Sequence, residues 1–327
     1  MKKLLITMTF AVLLAGCSEE ASVPGGNSVQ ERNPLTVQSA SLNTDVQTRA
    51  ATTPVTSGSI GLFLANNTSY PDAYVPVDNN QYSHGTPWTS SNPIYLGGET
   101  ADVCAYYPYS ADRNNSKAFT LKTQTYNAPA DLCYSENIAM NGAKATADGA
   151  GTIGCKVSFT LKRAYSKVAF EFYRKNYPGT CEMTHIQLKN CITDNTLDIT
   201  SGTYGTVATT GDLDYDVKIT VPEDDGTSPT PSITTSDDDA DAKNLLVIPG
   251  DIPGADLTGV TIVLTVDGKT MTTKIPRATL GKFVAGKVYT FKMSVNGTST
   301  EVEQIDIEDW ISEDVTDSGD KPFVPLP

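Results

Sequence analysis

Apolar and polar residues alternate in short runs along most of the chain. The clearest runs cover residues 59–64, 101–107, 155–161, 167–172, 183–188, 217–221, 260–266 and 288–295. Alternation with a period of two is typical of strands that bury one face. After the first 16 residues no long run shows the 3.6-residue period of an amphipathic helix. The pattern predicts an all-β protein.

Turn-forming residues separate these runs. The chain has 25 Gly and 19 Pro, and Asp267-Gly268 predicts a tight hairpin because this pair accepts the positive φ of a type I′ turn. Regular strand spacing of this kind favours two antiparallel β-sandwich domains. Small residues at 151–154 precede an uninterrupted β block. We therefore expect one domain at residues 50–153 and a second, with a C-terminal tail, at residues 154–327.

The N-terminus has the pattern of an export signal. Two lysines precede an apolar run at residues 4–14, which is shorter than the ~20 residues of a membrane-spanning helix. Leu14-Ala15-Gly16-Cys17 matches the bacterial lipoprotein box, in which the cysteine is acylated and becomes the first mature residue. We expect a signal peptide at residues 1–16 and a lipid anchor on Cys17. The alternative is an ordinary cleaved signal with a chance cysteine.

Residues 17–49 are predicted to be a propeptide. A polar spacer is followed by a segment that is mildly strand-like, with apolar residues at Leu35, Val37, Leu42 and Val46. The segment ends at Thr48-Arg49-Ala50, where an exposed basic residue offers a protease a cleavage site. We interpret the whole stretch as a tether plus one extendable strand, which the β-rich body accommodates and which processing removes.

Charge restricts the partners of the protein. The formal net charge is −14 in a chain with 39% hydrophobic residues, so a sizeable core is compatible with a strongly acidic surface. Such a surface repels nucleic acid phosphates and anionic lipid headgroups, so nucleic acid is not an expected partner. The simpler interpretation, that acidity keeps an exported protein soluble, stays open.

Five cysteines remain once Cys17 is set aside: Cys104, Cys133, Cys155, Cys181 and Cys191. An odd number in an oxidising compartment leaves at least one thiol free or paired between molecules. The last two look like a pair, but an extended strand between them would separate them by roughly 30 Å. A disulfide requires Cα atoms within about 7 Å. No connectivity is assigned.

Catalytic and cofactor-binding patterns are weak. The chain has two histidines, and residues 281–287 imitate a phosphate-binding loop but lack the Ser or Thr that would bind Mg²⁺. Residues 212–216 have the acidic spacing of an EF-hand, yet Val217 replaces the glycine that its sharp turn needs. Weak Ca²⁺ binding is the alternative to a solvated acidic segment. We predict no catalytic residue, no cofactor and no metal site.

Several motifs together resemble the fimbrillin family of Bacteroidota, the major and minor fimbrial subunits of the FimA and Mfa type. They are the lipoprotein box, Thr48-Arg49-Ala50, and residues 59–63, 103–109, 161–168, 245–249 and 286–310. Each motif is moderately specific, whereas their common order along nearly the whole chain is much more so. Residues 18–20 also resemble the acidic tag that directs Bacteroidota lipoproteins to the cell surface.

The resemblance implies two transthyretin-like antiparallel β-sandwich domains after a lipoprotein leader. It also implies a precursor at the outer membrane and cleavage by an Arg-specific protease between Arg49 and Ala50. In this family, cleavage releases a strand, and a C-terminal segment of the next subunit fills the groove that is left. The expected partners are therefore other fimbrial subunits, and the expected outcome is adhesion by a surface pilus.

The donor segment is less well defined. The best candidate is residues 301–315, in which Ile305, Ile307 and Ile311 are in phase, although Asp309 interrupts that face. The alternative is that the same residues form the last strand of their own domain. The final tail contains three prolines, which are poor for strand pairing. Whether the chain is a stalk, tip or anchor subunit stays open.

A second hypothesis is a surface lipoprotein or tip adhesin that binds a host glycan or protein and never polymerises. Four aromatic residues in the loop-rich region, Tyr70, Tyr74, Tyr82 and Trp88, are candidates for stacking on sugars. Packing is the alternative role for the same side chains.

Overall fold

The computed structural model describes residues 32–46, 49–113, 116–142, 155–206, 209–227, 231–253 and 259–311. Within these ranges the regular structure is β-strand, apart from one short 3-10 turn at Ala128–Ala130. None of the described residues belongs to a helix that is long and apolar enough to cross a membrane. The all-β prediction is confirmed. The predicted signal peptide and the lipidation site Cys17 lie outside the described residues.

Twenty-three strands follow one another along the described residues. In chain order they are β1 (Asn33–Pro34), β2 (Thr36–Val46), β3 (Arg49–Pro54), β4 (Ser59–Asn66), β5 (Val77–Ser83), β6 (Tyr95–Leu96), β7 (Ala101–Tyr107), β8 (Ala118–Lys122), β9 (Gln124–Thr125), β10 (Cys133–Met140), β11 (Lys156–Arg163), β12 (Ser166–Arg174), β13 (Glu182–Asp198), β14 (Thr203–Tyr204), β15 (Thr209–Thr220), β16 (Ile233–Thr234), β17 (Leu245–Val247), β18 (Gly250–Asp251), β19 (Thr261–Val266), β20 (Lys269–Lys274), β21 (Lys282–Phe283), β22 (Lys287–Val295) and β23 (Thr300–Asp309).

The hairpin predicted at Asp267-Gly268 is present between β19 and β20. Val266 pairs with Lys269, and the two turn residues have φ values of 45° and 73°. The Asp267 carboxylate accepts the Glu182 N–H at 2.9 Å, and this and further hydrogen bonds lower the pKa of the carboxyl. The turn is thus stabilised both by its own conformation and by hydrogen bonds from the start of β13.

The first sandwich is one folded sheet with the strand order β3-β2-β11-β10-β7-β4-β5. Strands β10 and β11 share two residue pairs, Cys133 with Arg163 and Tyr134 with Lys162. On either side of this corner, buried side chains of β2 and β11 pack with those of β4 and β7 in one core cluster. The pairings are antiparallel except for β2 with β11, which run parallel.

The second sandwich is formed by two sheets with a common apolar core. One sheet has the order β23-β22-β12-β17-β9, with β16 on β12, and the other has the order β14-β13-β19-β20, with β15 and β8 on β13. Strands β12 and β22 are parallel, which is the second departure from the antiparallel expectation.

A third core cluster joins the two sandwiches. Phe63 and Tyr106 of the first sheet pack there with Leu246 and Trp310 of the second part. The boundary predicted after residue 153 divides paired strands: β11 belongs to the first sheet, and the earlier strands β8 and β9 pair with β13 and β17. The small residues that marked the boundary precede β11 within the first sandwich. No single position in the chain therefore separates the two sets of described strands: β11 pairs within the first sheet, whereas the earlier β8 and β9 pair within the second sandwich.

Candidate functional site: a strand slot in the first sheet

Strand β2 lies inside the first sheet, between β3 and β11. Leu35, Val37 and Ala40 are at most 3% exposed, and the half-buried Leu42 packs beside them. Odd and even positions face the same core because the register with β11 shifts at one point between Val37 and Ser39. Such a bulge adds a residue to one strand and reverses the parity of the positions that follow. The predicted extendable segment is therefore a strand that completes a core.

The body of the protein provides a matching surface for this strand. Val157, Phe159 and Leu161 of β11 are each at most 5% exposed and belong to the same core cluster as the β2 side chains. Val37 pairs with Val157, and Leu42 pairs with Leu161. We call this surface, with the edge of β11 along which β2 lies, the strand slot.

The beginning of the segment also makes contacts with parts of the chain other than β11. The Leu35 N–H donates to the Ile94 carbonyl at 2.6 Å, and the Trp88 N–H donates to the Val37 carbonyl at 3.0 Å. Strand β1 also pairs with β6. The segment is therefore hydrogen-bonded to three parts of the chain: β11, Trp88 and residues 94–96. It is an integral part of the first sandwich.

Cys155 lies at the start of the strand slot. Its thiol is 3.1 Å from the Asn33 carbonyl, its own carbonyl accepts the Thr36 N–H at 2.5 Å, and the residue is 4% exposed. Burial raises the pKa of the thiol. Both hydrogen-bond partners belong to the predicted propeptide, so the thiol is covered by the part of the chain that cleavage after Arg49 would detach.

The predicted cleavage position lies at a hairpin between β2 and β3. Val46 pairs with Arg49, and Asp45 pairs with Ala50, so the bond between Arg49 and Ala50 stands at the start of β3. The two connecting residues 47–48 lie outside the described residues. A cut here separates β2 from the body of the chain.

Arg32 is the other arginine that precedes the body of the protein. It is exposed, it lies before β1, and its guanidinium is 5.7 Å from the centre of the Tyr74 ring. A cut at Arg32 would leave β2 attached to β3. Only the position at Arg49 is placed so that one cleavage detaches the strand.

The three candidate donor residues occupy different environments. β23 is the edge strand of the second sandwich and pairs along β22. Ile305 is partly buried against its own core, whereas Ile307 and Ile311 are each 54% exposed. The structure places them at the edge of their own domain, which agrees with the alternative interpretation of residues 301–309. Residues 312–327 lie outside the described residues.

A charged cluster at the end of the strand slot was not predicted. Arg163, the last residue of β11, forms a buried ion pair with Asp131. The guanidinium lies 3.9 Å from the centre of the Trp310 ring, and the Lys167 ammonium lies 4.9 Å from it. Cation–π contacts of this kind are strengthened where water is excluded. Trp310, at the end of the apolar pattern, was the sequence feature that could have indicated this cluster.

Most of the aromatic residues proposed for sugar stacking are buried. Tyr74, Tyr82 and Trp88 are 6%, 1% and 4% exposed, and Tyr70 is 44% exposed. Tyr74 donates a hydrogen bond to the Glu99 carbonyl at 2.5 Å, and Tyr82 donates one to the Leu35 carbonyl at 3.4 Å. Packing is therefore the role of three of the four, and the stacking interpretation is wrong for them.

The polar groups that were considered for chemistry have structural partners. His185 lies between two carboxylates of β15, with Nδ1 3.1 Å from Asp216 and Nε2 3.2 Å from Asp214. Asp212 lies 3.4 Å from the Lys189 ammonium. The acidic residues that imitated an EF-hand therefore lie along a strand. Among the described residues no group of His, Cys, Asp or Glu is arranged to hold a metal ion.

The cysteines are free and buried. This holds for Cys104, Cys133, Cys155, Cys181 and Cys191. Burial raises the pKa of the Cys181 and Cys191 thiols to about 11. The sequence assigned no connectivity to these five cysteines, and their thiols are unpaired in the structure.

The fold and the slot together define an all-β, two-sandwich protein whose first sheet is completed by a segment from near the N-terminus. Residues 48–310 match the model of the family described as fimbrillin-like. The chain belongs to this family. A search of the curated proteins finds no match.

The chain is similar to solved structures of proteins from Bacteroides and Porphyromonas. A candidate cell adhesion protein of Bacteroides uniformis is 19% identical, with a TM-score of 0.55 over 86% of this chain and 99% of that one. A candidate cell adhesion protein of Bacteroides ovatus is 16% identical, with a TM-score of 0.57 over 87% of this chain and 100% of that one. The fimbrilin of Porphyromonas gingivalis is 10% identical, with a TM-score of 0.45 over 84% and 98% of the two chains.

Proposed function

We propose that the protein is a structural subunit of surface fimbriae that polymerises by donor-strand exchange after cleavage between Arg49 and Ala50. The observation that carries the proposal is β2: a strand built into the core of the first sandwich that ends at the hairpin containing this bond. Membership of the fimbrillin-like family supports the same conclusion. Adhesion is the cellular outcome.

The energetics of β2 agree with a strand that is held firmly and can be replaced. Burial of Leu35 and Val37 stabilises the precursor by about 2 kcal/mol each. Each ladder hydrogen bond adds about 1 kcal/mol. Once β2 leaves, the edge of β11 and its apolar neighbours face water, and an open apolar edge favours pairing with another chain. An extended segment of the next subunit restores both the core and the ladder.

The donor segment is assigned to the chain from Ile311 onward. Ile305 belongs to the core of its own domain, so its withdrawal would cost part of that core. Ile311 lies two residues beyond the end of β23 and is more than half exposed, and the chain from Ile311 to Lys321 precedes the three prolines of the tail. A chain that stops after Ile311 keeps every described strand, so this variant tests the tail without removing a strand.

The leader is assigned to delivery. A lipid on Cys17 would hold the precursor at the outer membrane, and residues 18–32 would separate the anchor from the body. Two acyl chains are enough for stable attachment. Cleavage after Arg49 then frees the subunit from its anchor in the same step that frees the slot.

The central experiment compares two arginine variants. The wild-type precursor, Arg49→Ala and Arg32→Ala are incubated with an Arg-specific protease, and the products are examined by N-terminal sequencing and on unheated SDS gels. We expect the wild type and Arg32→Ala to give a product that begins at Ala50 and forms ladders, whereas Arg49→Ala forms none. Clean cleavage at Ala50 without any ladder would rule out polymerisation by this route.

One surface feature favours the second hypothesis, a tip adhesin that binds a host glycan or protein. A cavity of about 230 Å³ is lined in part by Arg32, Tyr74, Val75, Asn80 and Tyr95. Val75 is 84% exposed and Tyr95 is 50% exposed, which places an aromatic face beside amide groups. A glycan array probed with wild-type protein and with Tyr95→Ala separates this function from polymerisation. Equal signals from the two proteins would reject this surface.

A further inference from the structure

Strand β3 has one partner among the described residues, and that partner is β2. The pairing extends from Ser41 opposite Pro54 to Val46 opposite Arg49. Because β3 follows the cleavage position, residues 50–54 stay with the mature protein when β2 leaves. Cleavage therefore creates a second unpaired edge, on the other side of the slot from β11.

The hydrogen-bonding direction of this edge follows from its register. The Val55 N–H donates to the Ala40 carbonyl at 2.9 Å, so these two residues form a hydrogen-bonded pair. Such pairs alternate along an antiparallel ladder, so the N–H groups of Ala51 and Thr53 also face β2. Pro54 falls on the outward position, where the missing N–H costs no ladder bond.

The edge is anchored at one end beside the slot. The Val55 side chain is 8% exposed and belongs to the core of the first sandwich, and β4 begins a few residues later. β11 pairs with residues 36–42 of β2, and residues 50–54 pair with residues 41–45, so the two ladders are staggered along β2 and overlap at Ser41 and Leu42. Because adjacent strands lie about 4.8 Å apart, residues 50–54 and β11 are separated there by roughly 10 Å, which leaves room for one strand.

We infer that residues 50–54, the new N-terminal arm, pair with the strand that a second copy of this chain inserts into the slot. The inference rests on the proposed function and adds a partner strand to it. The incoming strand runs in the direction of β2, parallel to β11 and antiparallel to the arm, since this direction restores both ladders as they stand in the precursor. β11 then pairs with the first part of the incoming strand and the arm pairs with the rest, and both ladders are present at the positions that Ser41 and Leu42 occupy in the precursor.

Under this inference, cleavage between Arg49 and Ala50 leaves residues 50–54 of β3 with the mature subunit. A cut that removed β3 as well would leave the inserted strand at the edge of the sheet, with one ladder. The proposed position keeps the second ladder with the mature subunit. The arm is thus expected to slow dissociation of the polymer and to have no role in cleavage.

Hydrogen–deuterium exchange tests the arm without any variant. The amides of Ala51 and Thr53 should be protected in the precursor, exchange rapidly in cleaved monomer that has lost β2, and become protected again in the polymer. Rapid exchange of these two amides in the polymer, with β11 protected, would overturn the inference and leave donor-strand exchange intact.

A matched set of variants provides the second measurement. Thr53→Pro removes an inward N–H, Thr52→Pro removes an outward one, and Thr53→Ala controls for the half-buried side chain. We expect Thr53→Pro polymers to lose subunits about fivefold faster than Thr52→Pro polymers, as one missing hydrogen bond in a ladder predicts. Circular dichroism of each precursor verifies folding. Equal loss rates overturn the inference alone, whereas absence of wild-type polymer overturns the proposed function with it.

Discussion

Val37 offers a direct test of whether β2 is discarded. Its side chain is fully buried in the first core, and its carbonyl accepts the Trp88 N–H. Val37→Ala removes two methyl groups but leaves the backbone contact in place. The lost transfer free energy and the cavity together cost about 2 kcal/mol. In a chain of this length such a loss lowers the melting temperature of the precursor by about 4 °C.

The polymer should not carry this penalty. If processing removes residue 37, polymers from Val37→Ala and from the wild type are the same molecule and melt at the same temperature. In a subunit that has been cleaved but still binds β2 in the slot, the same 2 kcal/mol weakens the binding of β2 by about 30-fold, so its replacement by a donor strand should be faster. Ser39→Ala, an exposed position on the same strand, is the matched control.

Scanning calorimetry of precursor and purified polymer gives both quantities. A Val37→Ala polymer that melts below the wild-type polymer would mean that β2 stays in the fibre, and strand exchange would be rejected. A precursor with an unchanged melting temperature would contradict the burial of Val37.

Three further predictions concern the thiol, the histidine and the buried ion pair. Cys155 should resist alkylation in the precursor, react after β2 leaves and resist again in the polymer, with Cys104 as the unreactive control, as measured by mass spectrometry; early reaction of Cys155 would contradict its burial. Hydrogen bonds that the His185 ring donates to the Asp216 and Asp214 carboxylates raise its pKa above the ordinary 6.5, so the stabilising effect of the protonated ring is complete below pH 6.5 and is lost as pH rises through the raised pKa. His185→Gln should therefore flatten the dependence of melting temperature on pH, and an unchanged slope would argue against the ion pairs. Arg163→Met leaves the buried Asp131 carboxylate without its ion-pair partner and should lower the free energy of unfolding in urea by roughly 3–5 kcal/mol. Adding Asp131→Leu should restore part of this loss. No recovery would mean that the loss comes from the Trp310 contact instead.

The strands of the body were predictable because one face of each is buried. β11 alternates exposed and buried residues along its full length, and this pattern is visible in the sequence. Its partners were not predictable. β11 and β12 are separated by two residues, yet they lie in different sheets because Ala164 and Tyr165 are buried in the cluster between the sandwiches. Local periodicity does not encode such a crossover.

The candidate site was predictable in outline and not in detail. Apolar residues at Leu35 and Val37 indicated a strand, and Arg49 indicated where it ends. The bulge that brings Ala40 and Leu42 onto the same face as Leu35 and Val37 breaks the period of two, so a strict pattern would assign the two pairs to opposite sides. The pairing of β3 with β2 depends on a hairpin that has no strong turn signal in the sequence.

The stack of Trp310 on Arg163 has a mechanical consequence. The backbone N–H of Trp310 donates to the Gly286 carbonyl at 2.8 Å, and the indole ring stacks on the Arg163 guanidinium at the end of β11. Tension applied to the chain beyond Ile311 would be carried first by the Trp310–Gly286 hydrogen bond and then by the ladder between β23 and β22. Strands that are pulled along their length must break their hydrogen bonds together instead of one at a time. A filament joined in this way would resist shear from flowing liquid better than its equilibrium stability alone indicates.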